Sequence, residues 1–210
     1  MPARPVPRLS VVIPCLYEGA LIRPALQALQ PRRAGGCELL LVDGGSRDGS
    51  AQLAADLVDR LLLSGAGRAW QMNAGASLAS GEILWFLHLD SEIPTDAPEL
   101  IRSALARSGR GWGRFDIRLS GNRRSLRLVA GMMNLRSRLS GIATGDQGMF
   151  VRRDWFQSLG GYAEIPLMED IEFSRRCKRR GRPVCIGRPL VTSSRRWERD
   201  GVWRTVALMW

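Results

Sequence analysis

The sequence predicts an α/β protein whose mainly parallel central sheet is flanked by helices. Short apolar runs alternate with segments of helical spacing over the first half of the chain, and this alternation is typical of βαβ units. The runs at 38–42 and 83–89 do not alternate between apolar and polar residues, which indicates strands covered on both faces. The second half is less regular and predicts a smaller, mixed region.

The predicted elements follow in chain order. Pro14 closes the first strand, and Gly181 ends the last helix. The second helix can be capped by Ser46, Asp48 or Ser50. The predicted strands are 9–13, 38–42, 60–63, 83–89, 112–119 and 148–152, and the predicted helices are 18–29, 53–58, 68–78, 94–106, 124–139, 154–159 and 169–180.

Length and composition indicate one domain, 1–210, in a reducing compartment. A chain of 210 residues can bury about 70% of the surface of its unfolded form. The four cysteines form no C-x-x-C pair, so neither a zinc site nor a disulfide framework is predicted. No apolar window suits a signal peptide or a membrane span, so we expect a cytoplasmic protein. The apolar end at 201–210 has no helix stop signal, and we expect the natural chain to continue.

The charge balance is basic, at +11 from 31 Lys and Arg against 20 Asp and Glu. It favours polyanionic partners, but arginines spread over solvated faces explain it equally well. No aromatic-interleaved signature of RNA binding accompanies the charge. Nucleic acid is therefore not the expected partner.

Acidic residues follow two of the predicted strands and begin a late helix. Asp43 ends the second strand, Asp90 and Glu92 follow the fourth, and Glu169 and Asp170 begin the helix at 169–180. Ligands bind outside the carboxyl ends of strands in open α/β sheets, and Mg²⁺ prefers one or two carboxylates together with phosphate oxygens. The pattern predicts a cation and a phosphorylated ligand at this edge.

Each group also has a purely structural alternative. Asp43 before two glycines is ordinary turn chemistry, and acids in a first helical turn favour the helix dipole without any function. His88, the only histidine, is expected to pack or to hydrogen-bond beside Asp90. On the helix at 68–78, Arg68 can clamp a diphosphate or lie on an ordinary surface face.

Six segments in register resemble glycosyltransferase family 2, enzymes of the GT-A fold that use nucleotide sugars. The resemblance covers residues 9–200, and two of the segments, FLHLDSE and GDQGMFVRR, are most similar to a bacterial subgroup of arsenosugar-biosynthesis glycosyltransferases. The segments are SVVIPCLYE, LLLVDGGSRDGS, GRAWQMNAGA, FLHLDSE, GDQGMFVRR and MEDIEFSRRCKRRG.

The resemblance implies a nucleotide-sugar-binding half at 9–107. It places Asp43 on the base and Asp90 with Glu92 at the D-x-D position, which meets the ribose and a Mg²⁺ or Mn²⁺ ion. The other implied nucleotide-binding residues are Pro14, Tyr17 and Glu18 in the pocket wall and Arg68, Gln71 and Asn73 facing the diphosphate.

The resemblance also implies an acceptor-binding half at 108–210. Asp170 of the E-D pair would be the catalytic base of an inverting transfer. The implied acceptor or donor-sugar wall comprises Gly145, Asp146, Gln147, Glu169, Arg196 and Trp197.

Two positions depart from the family pattern. The D-x-D position ends in Glu92, which lengthens the reach to the ion and leaves its coordination open. SSRRWE lacks the glutamine of Q-x-x-R-W, and this second departure favours a single addition over processive synthesis.

The expected function is metal-dependent transfer from a nucleotide sugar, UDP-linked, to an acceptor that is a small molecule or lipid-linked. A sugar nucleotidyltransferase and a non-catalytic basic module that binds nucleic acid or anionic membrane are the alternatives. Peripheral contact with the inner face of a membrane is considered for five arginines, Arg123, Arg124, Arg127, Arg136 and Arg138.

Overall fold

The computed structural model describes residues 9–194, which form a seven-stranded sheet with helices on both faces. The strands are β1 (Leu9–Cys15), β2 (Cys37–Asp43), β3 (Arg60–Leu63), β4 (Ile83–Phe86), β5 (Trp112–Leu119), β6 (Phe150–Arg152) and β7 (Val184–Thr192). The helices are α1 (Gly19–Ala34), α2 (Ser50–Ala54), α3 (Arg68–Leu78), α4 (Ala97–Ser108), α5 (Arg124–Ser140), α6 (Arg153–Ser158) and α7 (Glu169–Arg180), and Gly145–Gln147 forms a 3-10 turn.

The sheet is parallel in its first half and mixed in its second. The strand order is β3-β2-β1-β4-β6-β5-β7, and β3, β2, β1 and β4 are parallel neighbours. β6 runs antiparallel to both β4 and β5, whereas β5 and β7 are parallel. The predicted α/β class with a smaller mixed region is confirmed.

Both faces of the sheet are buried at β1 and β2, and the unbroken apolar run of β2 predicts this. Successive side chains of β1 point to opposite faces. Val11 therefore packs in the cluster that includes Ile22 of α1 and Ile101 of α4, whereas Val12 packs in the cluster that includes Met72 of α3. The close approach of α3 requires a glycine, because a Cβ on Gly75 would lie 2.4 Å from Val12 Cγ1.

Several observed elements differ from the predicted ones, among them α2, which spans Ser50–Ala54 rather than 53–58. β4 ends at Phe86 rather than at residue 89, and α1 continues through Pro31 to Ala34. No element was predicted at 184–192, a segment in which Gly187 and Pro189 both weaken a strand pattern. β7 accommodates them with an irregularity in register opposite Phe115 and Asp116.

The carboxyl ends of β1, β2 and β4 meet at one edge. Cys15 pairs in register with Asp43, and the backbone N–H of Leu87 donates to Val12 O at 3.1 Å. The segments 16–18, 43–50 and 87–92 therefore begin side by side. No helix within residues 9–194 combines the length and apolarity of a membrane span.

Candidate active site at the carboxyl edge of the sheet

The loop after β1 is tied to the loop after β2 by side chains of the segment GGSRDGS. The backbone N–H of Tyr17 donates to Ser46 Oγ at 2.8 Å, and that of Gly19 donates to Asp48 Oδ2 at 2.9 Å. The N–H of Glu18 donates to Ser50 Oγ at 3.1 Å. These side chains were predicted only as helix caps, but they also hold the backbone of Tyr17 and Glu18, whose place in a nucleotide pocket stays a prediction.

Asp43 is buried and builds the turn that follows β2. Its Oδ2 accepts hydrogen bonds from the backbone N–H of Gly45 at 3.1 Å and of Ser46 at 2.8 Å, and its Oδ1 accepts one from Ser46 Oγ. The turn interpretation of Asp43 is confirmed. Its contact with a nucleotide base stays a prediction, as does the role of Pro14 in the pocket wall.

The predicted diphosphate contacts of Gln71 and Asn73 on α3 stay predictions, and the structure gives both side chains backbone partners. Gln71 is buried, and its Nε2 donates to Cys15 O at 2.7 Å and to Val42 O at 2.8 Å, so both amide hydrogens are used to join the strand ends. Asn73 bonds in both directions to the backbone of Tyr162, at 2.9 Å each. Both amides are structural because they satisfy buried or partly buried backbone groups.

The contact of Arg68 with a diphosphate stays a prediction. Arg68 lies exposed in the first turn of α3, after Gly67, and its positive charge acts on the carboxyl of Glu169. Arg68 forms no salt bridge with another residue of the part described, 9–194. Its guanidinium is available to an anionic ligand.

The centre of the site is the contact between the 3-10 turn and the start of α7. Gly145 N–H donates to Asp170 Oδ2 at 2.5 Å, and Ile171 N–H donates to Asp170 Oδ1 at 2.7 Å. A Cβ on Gly145 would lie 2.9 Å from His88 Cε1 and 3.5 Å from Asp170 Oδ2. A glycine is therefore needed where residues from three distant segments meet.

His88 belongs to this centre and was missed as a site residue. Its Nδ1 lies 3.4 Å from Asp146 Oδ1, and its ring packs against Gly145, so the expectation that it packs beside Asp90 alone was incomplete. The sequence feature that could have identified His88 as a site residue is its position, two residues before Asp90 at the end of an apolar strand.

Glu169 is a buried carboxyl beside Asp170. Burial raises its pKa, and the charge of Asp170 raises it further, whereas Arg68 and His88 act in the opposite direction. These charges show that Arg68, His88, Glu169 and Asp170 share one electrostatic environment.

Backbone strain coincides with the site. Met168 and Tyr17 have positive φ angles of 65° and 56°, and within residues 9–194 no other residue except glycine does. Such conformations cost free energy and concentrate at functional sites. Met168 lies directly before Glu169, and Tyr17 lies directly before Glu18. In both loops an acidic residue therefore follows a residue with strained backbone.

Gln147 does not line an open wall. It is buried, and its Oε1 accepts a hydrogen bond from the backbone N–H of Thr144 at 3.2 Å. Its amide oxygen closes the 3-10 turn, whereas its Nε2 has no hydrogen-bond partner within residues 9–194, so the contact of Gln147 with the acceptor or donor sugar stays a prediction. Arg196 and Trp197 lie outside the described residues.

The carboxylates proposed for a metal ion are exposed. Asp90 and Glu92 both face solvent, and the backbone of Glu92 bridges to Val191. Within residues 9–194, no three His, Cys, Asp or Glu side chains converge to hold an ion. An ion held by one or two carboxylates and the phosphates of its substrate needs no such cage, so Asp90 and Glu92 fit a Mg²⁺ or Mn²⁺ ion that arrives with its ligand.

The fold and this site define an α/β protein with acidic residues at the carboxyl edge of its parallel strands. The sequence profile described as "Glycosyl transferase family 2" matches residues 10–160. The chain belongs to glycosyl transferase family 2.

A curated relative supports the assignment. The "PGL/p-HBAD biosynthesis glycosyltransferase" of Mycobacterium bovis is 29% identical over 192 residues, with 81% of this chain and 70% of the relative covered. A Mycobacterium tuberculosis protein of the same description matches to the same extent.

Solved structures of two proteins with bound nucleotide sugars share the fold. S. aureus TarS 1-349 in complex with UDP-GlcNAc superposes with a TM-score of 0.72 at 16% identity, covering 90% of this chain and 59% of that one. The mannosyltransferase PcManGT from Pyrobaculum calidifontis, in complex with GDP-Man and Mn²⁺, gives 0.67 at 22% identity, covering 89% and 56%. This chain spans less than two thirds of the length of both.

Proposed function

We propose that this protein transfers a sugar from a nucleotide sugar to an acceptor hydroxyl. The observation that carries the proposal is the placement of Asp170, whose carboxylate is fixed by Gly145 N–H at 2.5 Å beside Glu169 and His88. Family membership and the donor complexes of TarS and PcManGT support a nucleotide-sugar donor. We take a UDP-linked sugar as the donor.

Asp170 acts as the general base. Backbone N–H groups bond to both of its oxygens, so the carboxylate is held in one orientation. Each oxygen keeps a lone pair for the proton of an acceptor hydroxyl. Attack by that oxygen on the face of the sugar opposite the leaving diphosphate gives inversion without a covalent enzyme intermediate.

Arg68 stabilises the leaving group. Breaking the bond between the sugar and the diphosphate leaves negative charge on a phosphate oxygen, and a guanidinium that faces this charge lowers the barrier. A bound Mg²⁺ or Mn²⁺ ion would neutralise part of the same charge as a Lewis acid. Asp90, with Glu92, would hold this ion.

The loop before α7 supports an acceptor with an apolar part. Leu167 and Met168 are exposed directly before Glu169 and Asp170, so the entrance to the base is apolar on this side. We infer a single addition to a small or lipid-linked acceptor by a cytoplasmic enzyme that meets a membrane peripherally.

The proposal is tested by ligand binding and turnover. Isothermal titration calorimetry with UDP-GlcNAc and GDP-Man, with and without Mn²⁺, should show binding that weakens in Arg68→Gln. The matched control is Arg107→Gln, an exposed arginine of α4. Release of a nucleoside diphosphate in the presence of an acceptor panel then measures transfer.

The same assays separate the alternatives. A sugar nucleotidyltransferase would instead release pyrophosphate from a nucleoside triphosphate and a sugar phosphate. A basic binding module would bind DNA or vesicles and neither nucleotide sugar. Either result would replace the proposed reaction.

A further inference from the structure

The outer face of α5 carries an apolar ridge. Its inner face, with Val129 and Met133, packs on β5, yet four large apolar residues on the other side are exposed. The ridge consists of Leu128 at 61%, Met132 at 41%, Leu135 at 57% and Leu139 at 70% relative exposure. The spacing of four, three and four residues keeps these side chains on one side of the helix over about 16 Å.

The ridge lies within a segment whose charged residues are all positive. Residues 117–145 contain six arginines and no acidic residue. Arg124 lies one turn before Leu128, and Arg138 lies three residues after Leu135, so guanidinium groups flank the ridge. Arg138 also bonds to Asp116 at 2.5 Å, whereas Arg124 and Arg127 make no salt bridge within residues 9–194.

The apolar ridge and its flanking arginines favour one kind of binding partner over the others. A helix with an apolar strip and arginines at its sides suits an anionic lipid surface, where the strip enters the acyl boundary and the arginines meet headgroup phosphates. Nucleic acid offers no apolar partner for the leucines. A second copy of α5, in either direction, would place arginines against arginines with no acidic residue to offset them.

We infer that α5 docks this protein on an anionic membrane through the ridge and its flanking arginines. The end of α5 precedes Gly145, which binds Asp170, so docking would hold the proposed base near the lipid surface. The inference extends the proposed function, but the docking itself does not depend on sugar transfer.

Vesicle co-sedimentation of the 210-residue chain tests the docking. Vesicles of phosphatidylcholine alone are compared with vesicles that also contain phosphatidylglycerol, at physiological salt. We expect binding to the anionic vesicles only. Arg124→Gln with Arg127→Gln should lower the partition constant about fivefold for each arginine removed, whereas Arg107→Gln with Arg179→Gln, two exposed arginines elsewhere, should not.

A second pair of variants tests the ridge. Leu128→Ser, Leu135→Ser and Leu139→Ser together should reduce binding to that of phosphatidylcholine vesicles, whereas the equally exposed Leu63→Ser on β3 should bind as the parent chain does. Absence of binding to anionic vesicles, or binding unchanged by the three serines, would overturn the inference. Light scattering tests for a dimer of the parent chain. A dimer that is lost in the triple-serine variant would show that the ridge binds a second copy of the chain instead. Nucleotide-sugar binding, measured on the same samples, reports separately on the proposed function.

Discussion

The two sides of the site are held together by different kinds of contact. On the nucleotide side, the turn after β2 is closed by Asp43 and Ser46, neighbours in the sequence, and one strand connection is bonded to the next. On the base side, His88, Gly145 and Asp170 come from three segments more than 20 residues apart. The turn after β2 is therefore set by local chemistry, whereas the base side depends on how the mixed half of the sheet packs.

This contrast explains which features of the site the sequence predicts correctly and which it does not. The acidic edge followed from strand ends in a parallel sheet, and the turn at Asp43 followed from its two glycines. Nothing local to Gln71 shows that its amide joins the ends of β1 and β2. Nothing local to Gly145 shows that a Cβ would strike His88. Both facts depend on contacts between residues more than 25 positions apart, which one sequence without an alignment does not contain.

The largest effect is expected from Asp170→Asn. Loss of the general base should lower the rate of transfer by about 10²- to 10⁴-fold, with nucleotide-sugar binding retained, because the nucleotide side is built separately. The measurement is single-turnover release of the nucleoside diphosphate in the presence of an acceptor.

Asp154→Asn is the matched control for this change. Asp154 also lies in a first helical turn, and its Oδ1 accepts a hydrogen bond from the Trp155 N–H at 2.9 Å. Within residues 9–194, its hydrogen bonds involve neither His88 nor Gly145. Transfer at the parent rate in Asp170→Asn would remove Asp170 from the role of base.

Gly145→Ala should disturb the base side next most strongly. The new Cβ would meet the His88 ring at 2.9 Å, and such overpacking costs about 1–3 kcal/mol of unfolding free energy. Transfer should fall while nucleotide binding persists. Urea denaturation measures the loss of unfolding free energy.

The control for added volume is Gly131→Ala in α5, where a Cβ meets nothing within 4 Å. Because alanine favours a helix, this change should stabilise the protein by about 0.5–1 kcal/mol. Equal stability of both alanine variants would contradict close packing at Gly145.

Ser46→Ala probes the nucleotide side. The change removes the acceptor of the Tyr17 N–H and one donor to Asp43, and the expected loss is about 1 kcal/mol of unfolding free energy. Nucleotide binding should weaken while Asp170 remains in place. Ser64→Ala, whose hydroxyl bonds only to the neighbouring Gly65 O at 3.0 Å, should change neither quantity; a similar loss in both variants would argue against the tie between the loops.

The smallest effect is the pH dependence that Glu169 contributes. Because burial raises the pKa of Glu169 in the folded protein, the folded state binds a proton more readily than the unfolded state does. This contribution favours folding at low pH and is lost as pH rises from the ordinary glutamate pKa through the raised one. Unfolding free energy measured against pH should therefore fall less across this window in Glu169→Gln, and an identical profile would contradict the burial of a titrating carboxyl there.

The most direct test of the account is a crystal structure of this chain with a nucleoside diphosphate and Mn²⁺. We predict that the diphosphate lies within hydrogen-bonding distance of Arg68, that the ion contacts Asp90, and that Asp170 faces the open side of the terminal phosphate. A diphosphate bound away from the carboxyl edge of β1, β2 and β4, or an ion held without Asp90, would contradict it.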